Sequence, residues 1–291
     1  MFRRSGGKID LPSVSPALAR IIQITNSPDA SADQVAEVIM MDQSLATKVL
    51  RMANSAFYAR RVKAETITDA VVTLGFSSIR NLAASASIID TLFPRQMFPD
   101  FDWREMWTHS VTCAVGTEVL YARMARNGGK ESAFVAGLLH DVGKLIIARA
   151  LPHRFGQIVE SCREYGRAMV VEENALLSTD HAKIGGELAK SWQFPETLVE
   201  GIFYHHNPED SPNHEGLARA VGAANLLAKR MSKSYIVGVS NDIGLDEIAE
   251  YTGLSVEELD HLTMSVRRRL GQCGDILAWG DSMPARTKRA A

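Results

Sequence analysis

Cysteine, long apolar runs and an excess of either charge are all scarce in this chain of 291 residues. Its three cysteines, Cys113, Cys162 and Cys273, are scattered without paired spacing. That excludes a disulfide framework and a zinc knuckle, and suits small buried residues in a reducing compartment. No apolar run approaches the roughly 20 residues that span a bilayer. The start, Met1-Phe2-Arg3-Arg4-Ser5-Gly6-Gly7-Lys8, is basic, but no apolar signal core follows it. Lys and Arg number 32 against 34 Asp and Glu, a net charge of −2, so no global basic field points to nucleic acid. These absences suggest a cytoplasmic protein without a membrane or nucleic-acid partner.

Period-2 alternation is also scarce. Residues 235–239 are the one plausible strand. Helix signals are abundant. Ser15-Pro16 reads as an N-cap with proline at the first helical position, opening a helix over 17–25. Ser31-Ala32-Asp33-Gln34 is a capping-box pattern for a helix to Met40, and Asp42 can cap a third over 44–53. Thr66 opens a short helix that ends at Gly75, and Ser77 opens another to about Ile89. Further helices are expected over about 102–126, 131–149, 154–166, 169–178, 180–192, 196–206 and 215–231, with 208–214 as a polar loop and 232–245 irregular. Ser255-Val256-Glu257-Glu258 is a second capping box, for a helix ending at Gly271. The fold class is therefore all-α. The Pro-punctuated stretch 93–100 divides an N-terminal helical lobe, 11–95, from a histidine-bearing lobe, 96–230. Residues 1–10 read as a flexible arm, 231–280 as a C-terminal helical extension and 281–291 as a disordered tail. Arg267-Arg268-Arg269 fits a solvated helix end better than a nucleic-acid site.

The chemistry gathers at His140-Asp141, inside Gly137-Leu138-Leu139-His140-Asp141-Val142-Gly143-Lys144-Leu145. An imidazole, a carboxylate and an ammonium fall within one turn of an apolar, buried helix. Burying them is costly unless they pair or bind an ion. His109, His181, His205 and His206, and less convincingly His153, extend the series. Imidazole and carboxylate donors suit iron, zinc, manganese or nickel. A bridging Asp141 between two ions would let a bound water attack a phosphorus ester, and Lys144 could hold a phosphate oxygen as a point charge. Plain readings stand beside these. His140-Asp141 could be a buried hydrogen-bonded pair that only fixes a helix, and His205-His206 a helix end with one ring in solvent. Both of those rings reach one ion only if the helix stops there, as Asn207-Pro208 suggests.

Taken together, the segments resemble the HDOD family, a bacterial signalling relative of the HD-domain phosphohydrolases. The resemblance spans about 11–207 and rests on a series of motifs. In the first half these are Leu11-Pro12, Asp42-Gln43-Ser44-Leu45, Arg51-Met52-Ala53-Asn54-Ser55-Ala56-Phe57-Tyr58 and Ala70-Val71-Val72-Thr73-Leu74-Gly75. In the second half they are Trp107-Thr108-His109-Ser110, the 136–145 segment, Asp180-His181-Ala182-Lys183-Ile184-Gly185 and His205-His206-Asn207-Pro208. It implies a two-lobed helical bundle and a regulatory role, commonly as a non-catalytic interaction module with signalling protein partners. It further implies that His109, His140 and Asp141 match the first three metal ligands of HD hydrolases. The last expected ligand, an Asp, is replaced by Asn225. His181, His205 and His206 match the extra ligands of the HD-GYP cyclic-dinucleotide phosphodiesterases, but Asn207-Pro208-Glu209-Asp210 stands where the Gly-Tyr-Pro signature would be.

Two main functions follow. One is a regulatory helical scaffold with a residual site for a divalent transition metal. The other is a metal-dependent phosphohydrolase or cyclic-dinucleotide phosphodiesterase, with Asp141 and Lys144 catalytic. A third is a nucleotide-sensing module that holds phosphate at Lys144 without turnover. All place His109, His140, Asp141, His181, His205 and His206 in one pocket.

Overall fold

The computed structural model describes residues 4–5, 8–9, 11–13, 15–25, 27, 29–54, 64–92, 98–125 and 130–282. Its architecture is helical throughout. A two-residue antiparallel pairing of β1 (Arg4–Ser5) with β2 (Lys8–Ile9), inside the expected arm, is the only sheet among the described residues. Residues 55–63, which include Phe57 and Tyr58, lie outside the described residues. So do 93–97 of the expected joint and 283–291 of the expected tail.

The first helices follow their capping signals. Ser15 Oγ accepts from the Leu18 amide at the start of α1 (Pro16–Thr25). Ser31 and Gln34 form the reciprocal capping box of α2 (Ala32–Met40), and Asp42 accepts from the Ser44 and Leu45 amides to open α3 (Gln43–Ala53). Two helices expected on either side of Gly75 run on as α4 (Ile67–Leu92), kinked where Gly75 takes φ 81° and ψ 164°. A side chain there would be strained in that left-handed conformation, so glycine makes the kink possible. α1, α2 and α3 pack on α4, which in turn lies against α6 (Lys130–Leu139) and α7 (Val142–Ala150).

The centre of the molecule is α5 (Trp103–Met124), buried from Met106 almost to its end and packed chiefly against α6 and α12 (Glu215–Met231). Asp102 caps it through the Arg104 and Glu105 amides. At its N-terminus, Trp103 stacks on Phe155 of α8 (Pro152–Tyr165) at 5.7 Å, and Phe98 meets the same ring edge-on at 4.8 Å. Then come α9 (Met169–Leu177), α10 (His181–Ser191) and α11 (Glu196–Phe203), with α10 packed on both α7 and α11.

Residues 232–244 form no strand. Ile236 makes one isolated bridge to Phe101, which corrects the strand expected over 235–239. The segment is pinned as a strap instead. Asp102 N donates to Tyr235 O (2.8 Å), Val237 N to Asp100 O (2.9 Å) and Arg163 Nε to Val237 O (3.1 Å). Its apolar residues are too few to recruit a second strand, whereas the loop before α5 offers free backbone partners. After the strap, α13 (Leu245–Thr252) is a helix that sequence patterning did not anticipate. α14 (Val256–Leu270) begins at the expected Ser255 capping box, and α15 (Gly274–Leu277) brings Ile276 O to the Trp107 indole N–H at 2.9 Å. None of the described helices is long and apolar enough to cross a membrane.

Candidate metal centre

The helix expected over 131–149 breaks at its chemical residues. α6 ends at Leu139, α7 begins at Val142, and Asp141 sits between them at φ −97° and ψ 8°. In an unbroken helix, adjacent side chains diverge by about 100°. The turn instead lets His140 and Asp141 face one point. His205 and His206 likewise follow the end of α11 at Phe203 rather than lying within it. Close helix approach does the rest. A Cβ on Gly143 would stand 2.0 Å from the His181 carbonyl oxygen, so only glycine lets α7 meet the start of α10.

All six expected residues come together. The Nε2 atoms of His109 and His140 are 3.4 Å apart, and lie 3.7 and 3.4 Å from Asp141 Oδ2. On the other side of the carboxylate, His181 Nε2 is 3.1 Å from Asp141 Oδ1, off the hydrogen-bonding direction. His206 Nε2 is 3.0 Å from His181 Nε2, and the His205 ring lies 5.1 Å from that of His140 and 4.1 Å from that of His206. Two triads result, His109-His140-Asp141 and His181-His205-His206, each with its ligand atoms within 4.8 Å of one another. His153 is exposed on α8 and belongs to neither.

Second contacts fix the rings. His140 Nδ1 bonds the Gly137 carbonyl (2.8 Å), His205 Nδ1 the Ile202 carbonyl (2.7 Å) and His181 Nδ1 the Glu173 carboxylate (2.5 Å). Glu173 also accepts from the His181 amide at 2.8 Å. Each such bond turns Nε2 toward the shared space, the arrangement that orients metal-binding imidazoles. Sequence reading missed Glu173, because Glu172-Glu173 reads as a solvated pair and only the packing of α9 buries it. It also missed Tyr235, whose hydroxyl accepts from Lys144 Nζ at 2.7 Å.

Burial, reinforced by neighbouring imidazoles and lysines, holds His109, His205 and His206 well below the usual imidazole range; His140 is lowered to about 4, again chiefly by burial. These rings are therefore neutral and available as ligands. Burial would also lower His181, yet the Glu173 and Asp141 carboxylates leave it above its ordinary value. For Asp141, burial is outweighed by His140 and Lys144, which hold it ionised; Lys144 lies 2.5 Å away.

These residues fit a bound cation. His205 Nε2 and His109 Nδ1 are buried without a hydrogen-bond partner, an expensive condition that a ligated ion relieves at Nε2. The donor set, imidazoles with one carboxylate, suits a divalent transition metal. Asn225 is buried on α12 with its side-chain oxygen also unpartnered.

Comparison with known proteins decides the family. The HDOD domain model matches residues 11–208. The chain belongs to the HDOD domain family. A solved structure of a candidate phosphohydrolase from Shewanella amazonensis is 26% identical, with a TM-score of 0.71, and the match covers 94% of this chain and 95% of that one. An HDOD domain protein of unknown function from Geobacter sulfurreducens is 28% identical, with a TM-score of 0.63, over 94% and 89%. A candidate signal transduction protein from Marinobacter aquaeolei is 26% identical, with a TM-score of 0.69, over 93% of this chain and 59% of that one. An uncharacterized protein of Treponema pallidum is 25% identical over 225 residues; the match takes in 76% of this chain and 42% of that relative's length.

Proposed function

We propose that this HDOD chain is a regulatory signal-transduction module. It is a helical scaffold for a signalling protein partner, and it holds a divalent transition metal (Fe, Mn, Ni or Zn) at His109, His140, Asp141, His181, His205 and His206. Turnover of phosphate esters by it is weak or absent. One observation carries this reading. Asp141 is the sole carboxylate in the two triads, and it is already paired with Lys144 at 2.5 Å. A two-metal hydrolase needs ligands that hold both ions and leave positions open for water and substrate. The ligand expected from α12 is the neutral Asn225, so negative charge for a second ion is lacking. The signalling role draws further support from the description of the Marinobacter neighbour.

Convergence of all six donors, and the description of the Shewanella neighbour, favour a second reading as a metal-dependent phosphohydrolase or cyclic-dinucleotide phosphodiesterase. In that case a bound ion would act as a Lewis acid on a phosphoryl oxygen or acidify a water. His109, His140 and Asp141 would hold it on one side and His181, His205 and His206 on the other. Lys144 would fix a phosphate oxygen.

Metal analysis of the purified chain, followed by hydrolysis assays on cyclic dinucleotides and nucleotides with added Mn, Fe, Ni or Zn, separates the two. The expected result is bound metal with negligible turnover. Robust hydrolysis abolished by Asp141→Ala would establish the enzyme, and a metal-free chain under all four ions would remove the metal site.

A further inference from the structure

Beside the His–Asp cluster lies a cavity of about 210 Å³. Its walls come from α7 (Lys144), the turn into α9 (Arg167), α12 (Lys229) and the strap (Ser234, Ser240), and the His181 and His206 rings face it. The strap and Lys229 lie beyond residue 208, where the family match ends. No carboxylate lines the cavity among the described residues.

Its two lysines are differently employed. Lys144 is committed to Asp141 and to the Tyr235 hydroxyl. Lys229 makes no hydrogen bond or ion pair among the described residues. Burial, and next the Lys144 ammonium, hold it below the ordinary lysine range. Lys229 is half-buried, and an ammonium partly removed from water with no carboxylate in an ion pair with it gains from an anion in the cavity.

We propose that this cavity binds a compact phosphate dianion, either inorganic phosphate or a small phosphomonoester. Lys229 is its principal charge partner, Arg167 stands at the mouth, and the Ser234 and Ser240 hydroxyls donate to its oxygens. Lysine serves such a group as a point charge. Size favours a small group, because about 210 Å³ is less than the roughly 300–1,000 Å³ of sites that bury a drug-sized ligand. The inference rests on the pocket being a working site, but not on its metal.

Calorimetric titration of the whole chain with inorganic phosphate, glycerol 3-phosphate and a cyclic dinucleotide tests this, with metal content measured on the same samples. Saturable binding of phosphate or the monoester is expected, and the stronger of the two identifies the source. Lys229→Met should weaken it by about tenfold or more, and Lys229→Arg should restore most of it. Arg167 is 62% exposed and paired at 3.6 Å with the buried Glu172, so the fold of Arg167→Gln is verified by circular dichroism before titration. That substitution should cost about threefold and carries the test if Lys229→Met does not fold. No saturable binding in the wild type overturns the inference, as does unchanged affinity in a folded Lys229→Met. Tighter binding of the cyclic dinucleotide than of either small anion also overturns it. Failure here with metal retained leaves the metal reading standing; phosphate binding by a metal-free chain would sink only that reading.

Discussion

Asp141 and Glu200 are both buried carboxylates in this fold, and they keep opposite company. Glu200 Oε2 accepts from Ser211 Oγ (2.5 Å), the Asn213 amide (3.0 Å) and the His214 amide (2.9 Å), while Oε1 takes Asn213 Nδ2 (3.3 Å). Every donor is a neutral protein group, and the result ties the loop before α12 to α11. Glu196, Glu200 and His214 have ligand-like spacing, yet the Glu200 lone pairs are already used. Asp141 instead faces four imidazole or ammonium groups, and unpartnered nitrogens remain around it. Proximity of ligand types is thus a weak sign of an ion site. Unsatisfied donors and acceptors around a carboxylate are a stronger one, because a buried polar atom without a partner is costly.

Four perturbations sharpen that contrast. The largest concerns how the metal centre is assembled. Gly143→Ala drives a Cβ into the His181 carbonyl, and should cost about 3 kcal/mol or more, or prevent folding, as judged by urea denaturation. A variant with native stability would show that α7 and α10 can separate freely.

Glu200→Ala strands three to four donors and should cost about 2–3 kcal/mol, equally with metal or with chelator. The pH dependence has a definite sign. Burial would raise Glu200, but its bonds from Ser211, Asn213 and His214 leave it below the usual carboxylate range. Its folded pKa is thus lower than its unfolded one. The stabilisation is full above the unfolded value and fades as pH falls through the folded value. Urea midpoints measured down an acid series should therefore drop less steeply in Glu200→Gln than in the wild type. Equal slopes would mean that this carboxylate is not held ionised.

Glu173→Gln acts on the other cluster, by loosening His181. Metal affinity should fall by about 10- to 100-fold, with little change in stability under chelator. The reverse pattern, lost stability and unchanged affinity, would make Glu173 a structural residue like Glu200. Tyr235→Phe is the mildest change. Removing the hydroxyl that accepts from Lys144 should cost about 1 kcal/mol, read from the thermal midpoint.

Most of the helices were legible in local sequence, because capping depends on three or four neighbouring residues. Ser31, Asp42 and Ser255 cap where their spacing predicts. The breaks were less legible. The apolar periodicity of 131–149 runs unbroken, so nothing local announces the turn at His140-Asp141. The strap misled for a similar reason: 235–239 has strand composition but no neighbouring strand to pair with. α13 lies after a polar, Gly-containing stretch whose helical periodicity is short. In the site, the six expected residues were readable from residue type and family motif. Glu173, Tyr235 and Lys229 were not, since only the packing of α9, the strap and α12 turns each toward the cluster.

Residue identity and local spacing by themselves determined the all-α class, the helix starts, the family and the six residues of the candidate centre. Tertiary structure alone decided how those residues are used. Which nitrogen of each ring faces the centre depends on carbonyls and a carboxylate brought in by packing. That Asp141 is ionised, that Lys144 is occupied while Lys229 is not, and that a cavity lies between them all depend on burial and long-range contact. A chain's local pattern can specify which groups it carries. Their solvation and their partners exist only once distant helices have closed around them.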